Sequence, residues 1–487
     1  MPRKGEPVAL LPGADKIGPE LLLGLDRSSS RPLHEQLETA LRDYVRSGRL
    51  APHAKVPSSR ALATSLGVSR GVVLEAYSQL IAEGYLVSRQ GAPTRVGSTP
   101  SIERPPVPAG TLEPEYSHGF DPGVPDLAAF PREQWARSLR AALRGAPFAA
   151  LGHGDPRGTP ELRNELMSYL GRVRGAAPEP EHTLVSAGAM QGFAALCRVL
   201  RQRGIERIGV EQPGWNRHRV IAEGAGLEPV GIPVDEHGLA VDRLANSGCE
   251  VAVVTPAHQF PTGVVMSSER RSALLEWAED EDALIVEDDY DSELRYDRMP
   301  VGALQGLAPE RVLHVGSASK RLAPGIRIGW MLSPSWLSGA LTYEQGLGES
   351  GPPALDQLAL ADFLARGELD RHLRRMRLRY RERRRVLVEE IARALPGSRV
   401  SGAAAGLFAL VLLAPGDDEH AVLRAAAARG VGLEGLSAHG GGGELPSNRA
   451  GGNDGTAGLV LGYGNVSEAE IERGARVLGR VYPLTSI

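Results

Sequence analysis

Cysteine is almost absent: Cys197 and Cys249 are the only two in 487 residues. They can form one disulfide at most, which argues against a stapled secreted scaffold and fits a reducing compartment. Long apolar runs are missing as well. The longest, Ala403 to Ala414, stops at Pro415, short of the roughly 20 residues that cross a bilayer. The N-terminus carries positive charge (Met1-Pro-Arg-Lys), but the apolar stretch after it (Val8-Ala-Leu-Leu) is too short for a signal peptide. The sequence therefore predicts a cytoplasmic protein, neither secreted nor membrane-bound. A chain of this length corresponds to about three folding units and can bury roughly three quarters of its surface.

What is there is unevenly spread. The net charge is −4, with 55 Lys+Arg against 59 Asp+Glu, yet residues 26–97 hold ten Lys/Arg and only six Asp/Glu. A basic part on an acidic chain suggests a polyanionic partner for that part. Residues 99–116 contain five prolines and little periodicity, the composition of a stiff, extended linker. A second soft stretch, 437–457, is rich in glycine and predicts a mobile loop or tolerated insertion. The expected organisation is a DNA-binding domain at 26–98, a linker at 99–122, a large domain at 123–350 and a small domain at 351–487.

Within the basic segment, apolar residues at 33, 37, 40, 41, 44 and 45 have helical spacing. Ser58 or Ser59 can cap a short helix with Ala61, Leu62 and Leu66 inward, ended by Gly67. Ser69 can cap another, with Val72, Val73, Ala76, Tyr77, Leu80 and Ile81 on one face and Gly84 as terminator. Two short helices joined by a glycine turn make a helix-turn-helix. The second begins at Ser69-Arg70-Gly71, where amides and a cation can meet phosphates and base edges. Leu86–Arg89 and Thr94–Val96 read as a hairpin wing bearing Arg89 and Arg95. Spacing alone equally fits an ordinary helical hairpin. The strings P-L-H-E-Q-L (32–37), S-G-R-L-A-P (47–52), V-P-S-S-R-A-L-A (56–63), L-G-V-S-R-G-V-V (66–73) and E-G-Y-L (83–86) resemble the GntR family of winged-helix repressors. The resemblance implies an operator of double-stranded DNA, with Arg60, Ser69 and Arg70 as contacts and the wing reaching the minor groove.

From about 150 onward, short apolar strands alternate with helical patterns, the signature of βα units and a mostly parallel sheet. Thr183-Leu-Val, Arg207-Ile-Gly-Val, Val251–Val254, Ala283–Val286 and Val312–Val315 are the clearest strands. Ligands gather at the carboxyl ends of such strands, and those ends hold the reactive side chains. Lys320 can attack an aldehyde if its surroundings lower the ammonium pKa. Asp288 can keep a pyridine nitrogen protonated, with Tyr290 two residues on. Trp215 can stack on a ring. Gly188-Ala189-Met190, Ser317, Ser319 and Arg327 can supply amides, hydroxyls and a cation for a phosphate. Taken singly, each of these is as readily surface charge or core packing. S-x-x-K also occurs in penicillin-recognising enzymes, but their S-D-N and K-T-G signatures do not occur here.

The strings G-D-P-R-G-T-P-E-L-R (154–163), V-T-P-A-H-Q-F-P-T-G-V-V-M-S (254–267), E-D-D-Y-D-S-E-L-R-Y (287–296) and S-A-S-K-R-L-A-P-G-I-R-I-G (317–329) resemble fold-type I aminotransferases. They are most similar to the MocR-type regulators, which fuse a GntR winged helix to that fold. The resemblance implies an α/β architecture: an N-terminal winged helix, a pyridoxal-phosphate body with a mostly parallel sheet, and a smaller C-terminal α/β domain. It implies that Lys320 joins the cofactor aldehyde, Asp288 pairs with the ring nitrogen, Tyr290 contacts the ring hydroxyl and Trp215 stacks. Ser317 and Arg327, with the 188–190 amides, would hold the phosphate. Arg217 matches a position that touches the effector carboxylate in gamma-aminobutyrate-responsive members, so an amino acid or amine is a second candidate effector.

Three departures from the aminotransferase pattern stand out. Phe260 replaces the Asn of N-P-T-G and cannot bond the ring hydroxyl, a contact left to His258 or Gln259. His153 stands where a Tyr reaches the neighbouring subunit's phosphate. Residues 456–464, T-A-G-L-V-L-G-Y-G, contain no Arg to grip a substrate carboxylate. The expectation is a homodimeric, DNA-binding regulator sensing pyridoxal phosphate and controlling its synthesis, with no metal and little aminotransferase activity. A working aminotransferase with a DNA-binding appendage, or an adaptor that has lost the cofactor, remains open.

Overall fold

A computed structural model describes residues 24–98, 118–296, 301–348, 351–440 and 457–482. The expected linker at 99–116 and most of the 437–457 stretch lie outside these described residues. The chain divides into two compact units, Met1–Glu113 and Pro114–Ile487.

In the first unit, α1 (Leu33–Arg46), α2 (Ser59–Leu66) and α3 (Arg70–Ala82) precede a two-stranded hairpin of β1 (Leu86–Val87) and β2 (Arg95–Val96). Ser58 caps α2 by accepting from the Ala61 amide, and Gly67 ends it at φ 61°. Ser69 caps α3 through the Val72 amide. Leu37, Leu41, Leu62, Val73, Ala76, Tyr77, Leu80, Leu86 and Val96 close one small core. Ile81, expected on the inner face, is 38 % exposed, because successive helical residues turn by about 100° and Leu80 already points inward. The wing is shorter than expected: Leu86 faces Val96 and Val87 faces Arg95, and no further pairs form between the two strands.

The second unit is built on an eight-stranded sheet. Its order is Thr183–Ser186, Gly329–Leu332, Val312–Ser317, Leu284–Asp289, Val251–Val254, Arg207–Gln212, Glu228–Asp235, Gly238–Leu239. The interior pairs are parallel. Gly329–Leu332 runs antiparallel to both neighbours, as does the short Gly238–Leu239 to its own. Four continuous strands, Thr183–Ser186, Val251–Val254, Leu284–Asp289 and Val312–Ser317, are buried throughout, as expected of a sheet covered on both faces. The strand Glu228–Asp235 is not among those named from the sequence, and it contains Pro229 and Pro233, residues unfavourable in a central strand. It lies next to last in the sheet, where only two of its residues pair on the outer side.

A smaller antiparallel sheet joins Arg399–Ser401, Phe408–Leu412, Gly458–Gly462 and Glu434–Gly435, backed by the helices Glu368–Ala394 and Glu468–Val481. The apolar run noted in the sequence becomes its central strand. Residues 118–122, expected at the end of the linker, are instead fixed to the body. His118–Gly119 pairs with Val431–Gly432, and Phe120 is buried. The helix Ala354–Ala365, beyond the boundary expected at 350, packs on Arg132–Gly145 and Pro160–Arg174 of the large domain.

Candidate functional site

Six strands run parallel and end on the same edge of the sheet, and the segments leaving five of them carry the side chains singled out above. The first passes from Ser186 into the helix Ala189–Gln202, whose start at Gly188 has no side-chain cap. Its leading amides are therefore open to an anion, the usual chemistry of a helix N-terminus. Gly188 sits at φ 97°, and a Cβ there would approach the Arg327 guanidinium to 3.2 Å. A Cβ at Gly329 would meet the Ala189 amide at 2.3 Å. Both glycines keep this cradle clear. Arg327 adopts the left-handed φ of 55° and donates to the Ala187 carbonyl at 3.1 Å. A non-glycine residue held in that region marks a backbone constrained by its surroundings. Ser317 ends the next strand, and its Oγ accepts from the Ser319 amide at 3.0 Å.

Lys320 follows in the same turn. Burial pulls its ammonium pKa below the usual lysine value, against the opposing pull of Asp291 and Asp288. A side chain at Gly123 would meet Lys320 Nζ at 2.9 Å, so that glycine leaves the amine its space. Asp288 is buried, with Oδ2 3.1 Å from His218 Nε2. His218 is wedged edge-on against Trp215 at 5.3 Å and against Phe193 at 5.2 Å. Asp288 thus has one oxygen held by the imidazole and the other free of that contact.

Tyr290 Oη donates to the His258 carbonyl at 2.6 Å, and burial raises its pKa well above the usual value. His258 Nδ1 lies 2.9 Å from Asp291 Oδ2, and its ring stacks on Phe408 at 4.8 Å. Gln259 is fully engaged elsewhere: its amide donates to Glu211, at 3.1 Å, and to the Pro213 carbonyl, at 2.9 Å, while its oxygen accepts from Thr262. Of the two replacements suggested for the missing Asn, Gln259 is therefore spent on the turn, and His258 keeps only Nε2 outside the Asp291 pair. Phe260 packs on Phe408 and His439. The Gly214 amide donates to the His439 carbonyl at 3.0 Å, which ties the Trp215 turn to the small domain.

Not every expected residue joins this group. Arg217 is exposed on the first turn of Asn216–Gly224. His153 is exposed too, in a cavity of about 800 Å³ lined by the Pro147–Pro156 segment and by Gln345 and Gly346. Residues 458–462 form a buried strand, and Tyr463 beyond it donates to the Ala405 carbonyl at 2.8 Å. His218, Asp291 and Gly123 were missed. His218 was findable, standing one helical turn after Trp215, whereas nothing distinguishes Gly123 among 59 glycines. Among the described residues no group of three or more His, Cys, Asp or Glu is placed to hold a metal ion.

In the N-terminal unit, Arg60, Ser69, Arg70, Arg89 and Arg95 are all exposed. Arg70 Nε donates to Ser59 Oγ at 3.3 Å, which brings the starts of α2 and α3 together. Ser69 Oγ is occupied by its cap, and Arg95 donates to the His53 carbonyl at 2.8 Å. Arg60 and Arg70 therefore offer the most available cations beside the α3 N-terminus. We expect Arg70→Ala to weaken operator binding and to lower the salt slope by about one unit. Gel-shift titrations across a salt series check this, and an unchanged slope would remove that face from the interface.

Residues 33–96 match the family of bacterial regulatory proteins of the gntR type, and residues 127–433 match aminotransferase class I and II. The multiple-substrate aminotransferase of Thermococcus profundus superposes with a TM-score of 0.68 at 25% identity, over 77% of this chain and 93% of its own. A winged helix and an aminotransferase body in one chain define a class of DNA-binding transcriptional regulators with a pyridoxal-phosphate domain. The regulator of pyridoxine biosynthesis PdxR of Corynebacterium glutamicum is 35% identical over 453 residues, covering 92% of this chain and 96% of PdxR. The probable rhizopine catabolism regulatory protein MocR of Rhizobium meliloti is 34% identical, covering 85% of this chain and 89% of that protein. The chain belongs to the MocR-type regulators.

Pyridoxal phosphate is the cofactor this fold implies, and the residues present fit it. The uncapped helix start, the two glycines and Arg327 suit a phosphate; Asp288 suits a ring nitrogen; Lys320 suits an aldehyde. When bound, the cofactor supplies that aldehyde and an electron-accepting ring. The protein's own part is to hold the Asp288 carboxylate through His218, to keep Lys320 poorly solvated, and to fix the turn around it.

Proposed function

We propose that the chain is a cytoplasmic, homodimeric sensor of pyridoxal phosphate that controls synthesis of the cofactor, with Lys320 as the residue that captures it. One observation carries this reading. The groups suited to the cofactor stand together, while residues 456–464 contain no Arg for a substrate carboxylate. A guanidinium–carboxylate pair supplies both orientation and energy, so transamination of ordinary amino acids is weak without it. The likeness to PdxR supports the same assignment. Dimerisation is supported by Phe148, Leu151, Tyr343 and Leu347, which are 95%, 61%, 68% and 65% exposed on two segments that border the His153 cavity. Clustered exposed apolar residues mark interaction surfaces.

The test is a titration of the DNA upstream of the protein's own gene with no ligand, with pyridoxal phosphate, and with the cofactor plus a panel of amines. A shift on the cofactor alone is expected. A shift only with an amine would point to an amino-acid sensor using Arg217. Steady turnover of an amino donor, with DNA binding indifferent to every ligand, would favour an aminotransferase.

A further inference from the structure

A second cavity, of about 430 Å³, opens on the body where the helix Pro160–Arg174 meets the start of Glu368–Ala394. Arg172, Arg371, Arg374 and Arg377 line it, with Tyr169 and Glu293 also in the wall. The three arginines spaced by three lie on neighbouring turns of one helix face. Arg172 pairs with Asp370 at 2.7 Å and Arg371 with Glu368 at 2.9 Å. Arg374 and Arg377 make no ion pair among the described residues. Two uncommitted guanidinium groups thus face a cavity of small-molecule size.

Behind them, Glu293 in the cavity wall is hydrogen-bonded to the cofactor turn. Glu293 is buried and accepts from Tyr169 Oη at 3.2 Å and from Arg321 Nε at 2.8 Å. Arg321, the residue after Lys320, also donates to the Ser317 carbonyl at 2.7 Å.

We propose that this cavity is a second anion site, taking a small phosphate-bearing ligand, and that its occupation is felt at Lys320 through Glu293 and Arg321. A phosphate between Arg374 and Arg377 adds its charge to that of Glu293 in drawing on Arg321. Arg321 also holds the Ser317 carbonyl, so the pull reaches the Lys320 turn. Glu293, Glu368 and Asp370 nearby disfavour the long run of phosphates in a DNA strand, whereas one phosphate fits between the two free arginines. The coupling rests on Lys320 holding the cofactor, but the anion site itself does not.

The probe is inorganic pyrophosphate, titrated calorimetrically into the full chain loaded with pyridoxal phosphate while visible absorbance is followed. Saturable binding is expected, weakened about tenfold or more in Arg374→Ala/Arg377→Ala and by less than twofold in Arg375→Ala, on the same helix but outside the cavity. An absorbance change on binding is expected in the wild type and not in the double variant. No saturable binding, or an equal loss in Arg375→Ala, would overturn the site, and binding without any absorbance change would overturn the coupling. If the double variant instead lowers the salt slope of operator binding by about two units, the surface belongs to DNA phosphates and the small-ligand assignment fails. A chain that takes up no cofactor fails the Lys320 reading, while pyrophosphate binding abolished by the double variant still stands.

Discussion

Lys320→Ala is expected to abolish covalent capture of pyridoxal phosphate, removing the visible absorption of the loaded protein and the response of DNA binding to the cofactor. The amine is the nucleophile suited to forming a stable imine with an aldehyde at this sheet edge. Burial lowers its pKa and so raises the neutral fraction that can attack. The Gly123 backbone leaves it room, and Ser317 and Arg321 fix the turn that carries it. Removing Nζ leaves the phosphate cradle and Asp288 in place, so weak noncovalent binding remains. Affinity for operator without cofactor should stay within about twofold, because the DNA-contacting helices belong to the other unit. Absorbance after desalting, with gel shifts with and without cofactor, checks both halves. Absorbance and DNA regulation both unchanged in the variant would contradict capture of the cofactor by Lys320.

Much of this site is legible in the sequence, for physical reasons that differ by residue. Parallel strands buried on both faces must be continuous apolar runs, so Val251–Val254 and Val312–Val315 announce themselves, and the residues after them must lie at the ligand edge. Chain order sets Lys320, Asp288 and the Gly188 helix start at that edge, while their roles toward the cofactor come from the resemblance to aminotransferases. What sequence order cannot carry is which side chain spends its hydrogen bonds on which neighbour. Gln259 and His258 looked interchangeable as substitutes for the missing Asn. Only folding shows Gln259 consumed by Glu211, Pro213 and Thr262. Arg95 looked as available to DNA as Arg70, yet it closes onto the His53 carbonyl. Glu228–Asp235 tolerates Pro229 and Pro233 because it lies near the sheet's edge, where only two of its residues pair on the outer side.

The largest loss of stability is expected from Arg174→Met. Asp289 lies at the end of a central strand, next to Asp288, and is 2% exposed. Arg174 Nε meets its Oδ2 at 2.7 Å, His314 Nε2 stands at 3.0 Å and Arg321 at 3.8 Å. Burial alone would raise the Asp289 pKa, but Arg174, the His314 hydrogen bond and Arg321 outweigh it and hold the carboxyl well below its usual value. Taking away the nearest cation leaves a buried charge partly uncompensated, which costs about 3–5 kcal/mol. The sign with pH follows from the depressed pKa. Asp289 binds its proton more readily unfolded, so its stabilisation is complete above the unfolded value of about 3.9 and is lost as pH falls through the folded value. The gap between wild type and Arg174→Met should therefore be widest at neutral pH and narrower at about pH 3. Urea unfolding of the body at both pH values measures it, and a loss below about 1 kcal/mol at neutral pH would contradict the account. The same network reaches the cofactor turn, since Arg321 bridges Asp289, Glu293 and the Ser317 carbonyl. Arg174→Met should then also release cofactor faster than the wild type at temperatures where both remain folded. That would separate a network that positions Lys320 from one that merely keeps the sheet together.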